Sequence, residues 1–448
     1  KPIRQLRPNN SGLLAEQARL VRAFCCLPPR MGHMPLSNSA APAMPSAPPP
    51  PSPNAMPPGL VVLTLALLLG MQPITTDLYL PALPGLTQEL GASMAQAQKT
   101  LTALLLAFGV SQLVWGPLSD RFGRRPVLLA GVSAYVVASV GSALATHIEA
   151  LLLWRTLQGA AMGASVMCAR AIVRDLYTPL QAATVMSRGL SGLGVIACLS
   201  APLGGLLTAW FSWHGALLAL AVFGAASLAL VALRFEETVP QKNPLALHPT
   251  TLLHTWGHIL RHPTFWAFTA LSTFAYSGLF TFLASSSFVM MRVLGLSTVQ
   301  YGLVMFANSF LYLLGTFLCR RLLGLWGIRR TVAVGGLLSM VGGIGMAALA
   351  WSGVQSAWAI ELPLALFMVA HGIHNPCGQS AAVSPFPQSA GAASALNGFL
   401  AMVSAFAVGQ WLGSHMDGTV GPLVYGIAFW SVLIALTAWT LVQRHGRH

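Results

Sequence analysis

Long stretches of apolar residues recur along the chain, separated by short polar turns. A helix needs about 20 such residues to cross a bilayer. The runs are continuous, whereas strands in a membrane alternate apolar and polar positions, so a sheet is excluded. We therefore predict an all-α membrane protein with twelve transmembrane helices in two pseudo-symmetric six-helix bundles. The predicted spans are 58–80, 94–117, 126–146, 149–171, 180–208, 213–234, 264–288, 299–319, 331–351, 356–379, 389–412 and 420–442.

The stretches outside these spans set the domain boundaries. Residues 1–57 include "SAPPPPSPNAMPP", a Pro/Ser-rich composition that cannot form a core and is expected to be disordered. Since the sequence begins with Lys and several Met residues follow, either the chain is processed or an upstream stretch has been translated. We leave this tail out of the fold prediction. The predicted N-terminal bundle covers 58–234, a cytoplasmic connection 235–263, and the C-terminal bundle with a short basic tail 264–448.

Composition agrees with a chain that faces lipid. The charged residues make up 8% of the sequence and the hydrophobic residues 55%, with a mean hydropathy of +0.68. A water-soluble domain has about 25% charged residues. A net charge of +14 is typical of nucleic-acid-binding proteins, but the arginines lie at segment ends and form no continuous basic face. No nucleic-acid partner is therefore expected.

Basic residues lie mainly in the even-numbered connections between the predicted helices. In the odd-numbered connections the basic residues are Lys99 and Arg292. Cytoplasmic connections carry the excess of Lys and Arg, so both termini are predicted to be cytoplasmic.

The two predicted halves also resemble each other in sequence. "FGRRPVLLAG" (122–131) is similar to "WGIRRTVAVGG" (326–336), about 205 positions later, and both follow an even-numbered helix. A duplicated six-helix unit predicts this offset. Repeats of this kind place a substrate site between the halves, near the middle of the bilayer.

The turn between the second and third helices, "GPLSDRFGRRP", concentrates charge in a charge-poor chain. An acid among arginines can pair with them or face the positive end of the next helix, and such a cluster can hold one conformation and release it in another. The simpler alternative is that the arginines only set topology. The stretch resembles the loop signature of the major facilitator superfamily, which implies the major facilitator fold and a conformational role. The matching residues are Gly116, Leu118, Asp120, Arg121, Gly123, Arg124 and Arg125.

Three further stretches resemble the drug/proton antiporter branch of that superfamily, and its bicyclomycin-resistance (Bcr/CflA) group in particular. They are "TTDLYLPALP" (75–84), "RTLQGAAMGASVMCARAIVRD" (155–175) and "SAPLGG" (200–205). The third departs from the antiporter motif of helix 5, because Ala201-Pro202 stands where Gly-Pro is usual. Pro202, Gly204 and Gly205 fit the motif and can provide a bend or a close interface, although Gly and Pro are common in membrane helices generally.

Two charged residues inside predicted helices are the candidates for proton coupling. Asp77 is the acid of helix 1, and an ionisable residue within a span is costly and indicates function. Arg155 lies about 9 Å into helix 4, a depth similar to that of Asp77, and Gln158 shares its face. We therefore expect Asp77 and Arg155 to pair in one polar pocket. The alternatives are a solvated Asp at a helix end and a purely structural ion pair.

Other polar residues within the spans are weaker candidates for the cavity. His371 and His374 lie one turn apart in helix 10 and can exchange protons near neutral pH or simply bond across helices. Asn308 and Asn397 are candidate cavity groups. No metal site is expected, because no Cys or acid completes a set with the histidines of the central connection.

These observations predict a proton-coupled multidrug efflux transporter, an antiporter that exports small, mostly apolar compounds across a bacterial inner membrane. Its partners would be the substrate, protons and the lipid bilayer, it would need no cofactor beyond the proton gradient, and we expect a monomer. No phosphate loop, nucleophile elbow or catalytic carboxylate pair is present, so an enzyme is not expected. The alternatives are an exporter of a metabolite such as a sugar or nucleoside, and a non-transporting receptor or regulator on the same scaffold.

Overall fold

Apolar helices make up most of the computed structural model, which describes residues 56–239, 241–244, 246–354 and 356–446. Within those ranges ten helices are long and apolar enough to cross a membrane. Two of them are too long for one crossing, Pro179–Arg234 with 56 residues and Thr298–Trp351 with 54. At 1.5 Å per residue each would extend about 80 Å, more than twice the hydrocarbon thickness of about 30 Å.

Each long helix is interrupted near its middle by residues outside the helical conformation. Phe211 and Ser212 break the first, with φ at +58° for Ser212, and Gly327 breaks the second with φ at +70°. Each helix therefore supplies two spans, and the described residues contain twelve apolar segments. This confirms the all-α prediction of twelve helices.

We label the spans α1 to α12 in chain order. The short elements beside them are two 3₁₀ turns (Leu80–Ala82 and Pro387–Ser389), a π-helical turn (Val289–Val293) and the helices Leu83–Glu89, Pro249–Leu260 and Leu441–His445. The labelled helices are α1 Pro58–Asp77, α2 Met94–Phe122, α3 Arg124–Ala143, α4 Ile148–Leu176, α5 179–210, α6 213–234, α7 Pro263–Phe288, α8 298–326, α9 328–351, α10 Ala357–Val383, α11 Ala390–His415 and α12 Gly421–Trp439.

Two helix ends differ from the sequence prediction. α2 extends to Phe122, so the turn before α3 is reduced to Gly123. The apolar path of α1 continues through the 3₁₀ turn as far as Glu89. Pro81 has no backbone N–H to donate to the carbonyl of Asp77, so the regular α-helix ends there, and Pro84 lies in the first turn of the next short helix; the buried segment continues past both. Asp77 consequently lies within the apolar segment and not at its end.

The two halves of the chain meet along α2 with α11 and along α5 with α8. Gly205 of α5 makes the second contact possible, since a Cβ there would lie 2.7 Å from the carbonyl oxygen of Thr298. Gly302 of α8 does the same in return, with the carbonyl oxygen of Ala201 at 3.0 Å. Small residues allow helix backbones to approach this closely.

Hydrogen bonds join the halves near both ends of the bundle. Beside the helix that follows α1, Arg292 donates from Nη2 to the carbonyl oxygen of Pro84 over 3.0 Å. Near the opposite end, Arg170 of α4 donates to the hydroxyl of Ser394 on α11. The structure therefore holds the halves together at both ends.

Residues 1–55 of the predicted tail, with Cys25 and Cys26, lie outside the described residues. The four described cysteines are buried. Cys319 of α8 and Cys377 of α10 lie with their sulfur atoms 3.5 Å apart, a contact that the sequence does not reveal because the two residues are 58 positions apart.

Candidate functional site

Arg155 is fully buried inside the N-terminal half, where α4 faces α1. Its Nη1 donates to Oε1 of Gln158 over 2.7 Å, and its Nη2 donates to the carbonyl oxygen of Thr75 over 3.3 Å. The guanidinium carbon lies 4.1 Å from the ring centroid of Tyr79, a cation–π contact in a desolvated setting. Its Nε has no partner. The cation is thus held by dipoles and a ring face.

A chain of buried hydrogen bonds continues from Arg155 into α3. Gln158 donates to the hydroxyl of Ser139 over 2.7 Å, and that hydroxyl donates to the carbonyl oxygen of Tyr135. The Tyr135 hydroxyl is 2.7 Å from the hydroxyl of Thr75, which returns the chain to α1. A network in which the members satisfy one another is rigid. It fixes the end of α1 against α3 and α4.

Asp77 faces away from this network. Its Oδ1 accepts a hydrogen bond of 2.8 Å from the hydroxyl of Thr76. It lies close enough to interact electrostatically with Cys198 on α5, Tyr276 on α7 and Tyr301 on α8. Two of those side chains belong to the C-terminal half, so the carboxylate is placed where the halves meet.

The expected pair between Asp77 and Arg155 is wrong for this structure, in which no ion pair joins these two described residues. The depth estimate holds, because Arg155 bonds to Thr75, two residues before Asp77. The expected orientation of the Asp77 side chain is wrong. Successive residues of an α-helix are about 100° apart, so Thr75 and Tyr79 share one face while Asp77 lies about 200° round the helix from Thr75.

The helix 5 motif lies at two close backbone contacts. A Cβ on Gly204 would lie 2.2 Å from the carbonyl oxygen of Leu78, next to Asp77, and Gly205 faces α8 of the other half. Pro202 lies inside the long helix without breaking it. The motif therefore packs α5 against α1 on one side and α8 on the other.

The two candidate histidines pack inside the C-terminal half. His371 lies against Tyr312 with ring centroids 5.5 Å apart. His374 is fully buried against Gly335 of α9, where a Cβ would come within 2.6 Å of its Nε2. Asn397 accepts a 2.9 Å hydrogen bond from the hydroxyl of Ser272, which joins α11 to α7.

Asn308 leads to an acid that the sequence analysis did not single out. Its Nδ2 donates to Oε2 of Glu361 on α10 over 3.0 Å. The signal was available, because Glu361 falls inside the predicted span 356–379 and an acid inside a span indicates function by the rule applied to Asp77. Glu361 is thus, like Asp77, an acid inside an apolar span of the structure.

The charged turn before α3 is organised around Arg124. Its guanidinium bonds to Asp120 over 2.6 Å and to Asp175, at the end of α4, over 2.9 Å. Arg124 is buried, while the Asp120 side chain is 46% exposed. Arg121 is exposed and lies over the ring of Phe122, while the half-buried Arg125 donates to a carbonyl at the end of α6. Gly116 packs against α4.

Glu237, from the connection after α6, closes this cluster. Its two carboxylate oxygens accept from the backbone N–H groups of Arg124 and Arg125 over 2.8 and 3.2 Å. An acid is favourable there because the first N–H groups of a helix lack partners and carry positive dipole charge. Since Gly123 has no side chain to cap α3, a distant residue does so. The 2–3 turn, the end of α4 and the 6–7 connection therefore meet on one face, as the predicted topology requires.

Comparison with known proteins gives a family match over most of the chain. The family described as Major Facilitator Superfamily matches residues 65–410. A relative named "Multidrug resistance protein D", from Escherichia coli (strain K12), is 28% identical over 390 residues, covering 86% of this chain and 98% of the relative. A relative named "Chloramphenicol resistance protein", from Pseudomonas aeruginosa, is 30% identical over 374 residues, covering 82% of each.

Solved structures agree on the fold. The crystal structure of the human organic anion transporter MFSD10 (TETRAN) matches with a TM-score of 0.64 at 22% identity, covering 86% of this chain and all of that one. The crystal structure of a D-xylose–proton symporter matches with a TM-score of 0.65 at 16% identity, covering 85% and 97%. At these identities the likeness concerns the fold alone.

Proposed function

Because the chain belongs to the Major Facilitator Superfamily, we propose that it is a proton-coupled multidrug exporter of small, mostly apolar compounds. The names of its relatives support drug efflux. "Multidrug resistance protein D" and a "Bicyclomycin resistance protein homolog" from Haemophilus influenzae match this chain over nearly the whole of their own length. A third relative is a "Chloramphenicol resistance protein". The transporter would use the proton gradient and no cofactor.

The observation that carries the coupling proposal is the position of Asp77. Its carboxylate lies within an apolar span, where the halves meet, and no basic side chain forms an ion pair with it among the described residues. An unpaired charge in such surroundings is unfavourable and is neutralised by a bound cation or proton. A proton and a substrate would then compete for one place, which is the requirement for antiport.

In this proposal Arg155 positions the coupling acid and does not pair with it. By holding the Thr75 carbonyl and the Tyr79 ring, it fixes one face of α1 and directs Asp77, on the opposite face, toward the contact between the halves. Removing Arg155 would loosen α1, and transport would fall because Asp77 is no longer directed.

The test of the proposal is substrate accumulation in an efflux-deficient bacterial host. Cells with the wild type should accumulate less ethidium and chloramphenicol than cells without it, and an uncoupler should remove the difference. Asp77→Asn should behave like the empty vector, and Asp77→Glu should retain part of the activity. Asp417→Asn is the matched control, since Asp417 lies in the exposed turn between α11 and α12.

Equal amounts of each variant in the membrane must be shown by immunoblot. Efflux that persists with the uncoupler, or full activity in Asp77→Asn, would contradict proton coupling through this residue. Export of sugars or nucleosides with no effect on either drug would support the metabolite exporter instead.

The location follows from the same proposal: the bacterial inner membrane, with both termini in the cytoplasm. Ser212 lies at the break between α5 and α6, and Lys242 lies in the connection between α6 and α7. A Ser212→Cys variant should react with an impermeant thiol reagent added to whole cells, and Lys242→Cys should react only after the cells are opened. The reverse pattern would invert the topology.

A further inference from the structure

The pair formed by Glu361 and Asn308 contains two buried oxygen atoms with no donor. Glu361 accepts a hydrogen bond at Oε2 from the Asn308 amide over 3.0 Å. Its other oxygen, Oε1, is buried without a partner, and so is Oδ1 of the same Asn308. Leaving a buried acceptor unsatisfied is unfavourable, and more so for a charged group. Two orphaned acceptors in one bonded pair indicate a donor that belongs there.

One proton on the carboxyl group would satisfy both atoms. A protonated Glu361 has an O–H donor, and the amide oxygen of Asn308 is the acceptor in the side chain that already bonds to it. The two groups would then form the cyclic pair of a carboxylic acid with a primary amide, in which each donates once and accepts once.

The electrostatic surroundings also favour a neutral acid. Among the described residues, no Lys, Arg or His forms an ion pair with Glu361. On the helices packed against α10, the titratable group that interacts with it is Tyr301 of α8, whose hydroxyl pairs with the hydroxyl of Ser286 on α7. On α10 itself, His371 and His374 lie about three turns further along.

Tyr301 connects this pair to Asp77. It interacts electrostatically with both acids, and all three residues lie toward one end of the bundle. Asp77 ends α1, while Tyr301 and Glu361 lie in the first two turns of α8 and α10. Asp77 of the N-terminal half and Glu361 of the C-terminal half therefore lie toward the same end of the bundle.

The internal repeat relates the position of Glu361 to a position in the N-terminal half. Arg329 follows Arg124 by 205 positions, and Glu361 follows Arg155 by 206. By the 205-residue offset the counterpart of Arg155 is Ile360, and Glu361 is the residue next to it on α10. The N-terminal half provides Asp77, and the C-terminal half provides Glu361.

We propose that Glu361, positioned by Asn308, is a second protonation site, so that each half of the transporter carries one exchangeable proton. The proposal rests on proton-coupled export, and it gives that export a stoichiometry of two protons per cycle. In the closed structure the proton lies between Glu361 and Asn308, and it is lost when the halves separate and water reaches the carboxylate.

The first experiment measures protonation without transport. Infrared difference spectra of the detergent-solubilised wild type, between acid and alkaline pH, should contain the C=O stretching band of a protonated carboxyl group. Glu361→Gln should remove one component, and Asn308→Ala should shift it because the acid loses its amide partner. Glu149→Gln is the matched control, since Glu149 is exposed at the start of α4, and it should leave the component unchanged.

The second experiment counts protons released when ethidium binds to the purified protein in weakly buffered detergent solution. We expect two protons from the wild type, one from Glu361→Gln, one from Asp77→Asn and none from the double variant. No release from the wild type would refute the proposed function and this site with it. One proton from both the wild type and Glu361→Gln would refute the second site and leave the proposed function standing.

A third outcome would assign the pair to the substrate. If Glu361→Gln keeps the full proton release and the infrared band but no longer binds cationic tetraphenylphosphonium, while neutral chloramphenicol binds normally, then Glu361 recognises a substrate cation. That result would overturn the protonation site.

Discussion

Replacing Gly123 with alanine tests whether the turn before α3 requires glycine, both for its backbone conformation and for the close approach of Glu237. The residue has φ at +108° and ψ at +159°, a combination that is essentially restricted to glycine. A Cβ there would lie 2.3 Å from Oε2 of Glu237, about 1 Å closer than even a short C–H···O contact of about 3.3 Å. Gly123→Ala therefore strains the backbone and displaces the carboxylate that caps α3.

The two effects can be sized separately. Holding a residue other than glycine in this conformation costs about 1–3 kcal/mol. Displacing Glu237 breaks its hydrogen bonds to the N–H groups of Arg124 and Arg125, about 1–2 kcal/mol in total because the side chain is partly exposed. Together, Gly123→Ala should destabilise the protein by about 2–5 kcal/mol and lower its thermal midpoint by several degrees.

The assay is the thermal midpoint of the purified protein in detergent, with Gly85→Ala as control. Gly85 lies in a short helix, lacks a positive φ, and has no neighbouring atom within 4 Å of the place where a Cβ would lie, so its replacement should be neutral or slightly stabilising. Glu237→Ala alone should lose only the cap. The double variant should be more stable than the sum of the single effects predicts, by about 1–2 kcal/mol, since the cap is lost once.

Equal midpoints for Gly123→Ala and Gly85→Ala would refute this account of the junction. Strictly additive effects in the double variant would show that Glu237 and Gly123 act independently, against the 2.3 Å approach.

Two further predictions concern the conformational cycle. Asp120→Asn should lower the stability by under about 1 kcal/mol, because the Asp120 carboxylate is half exposed and Arg124 keeps its bond to Asp175. The same variant should slow turnover severalfold in reconstituted vesicles. Unchanged turnover would mean that the charged cluster serves only to set topology. Gly205→Val should abolish transport while the protein still inserts into the membrane, because the added side chain meets the Thr298 carbonyl and prevents α5 from packing on α8. The control Gly85→Val should transport normally. Full transport by Gly205→Val would contradict a role for the contact between α5 and α8.

Much of the fold could be predicted from the sequence, because lipid imposes one dominant requirement. Each helix must satisfy its backbone hydrogen bonds internally and carry an apolar surface of fixed length, so the spans can be recognised in the sequence as apolar runs. The prediction erred where local chemistry modifies that rule. Pro81 ends a regular helix without ending the buried segment, and Gly123 allows a turn of one residue where a longer loop was expected.

The sequence determined how deep each charge of the candidate site lies, because depth follows from counting residues along a helix. The direction in which each side chain points depends on how helices are rotated and packed, and that is decided only by the tertiary structure. Asp77 and Arg155 were therefore placed at one level correctly and paired incorrectly. For the same reason, contacts between distant segments emerged only in the structure: the Glu237 cap on α3, and the bond between Asn308 and Glu361.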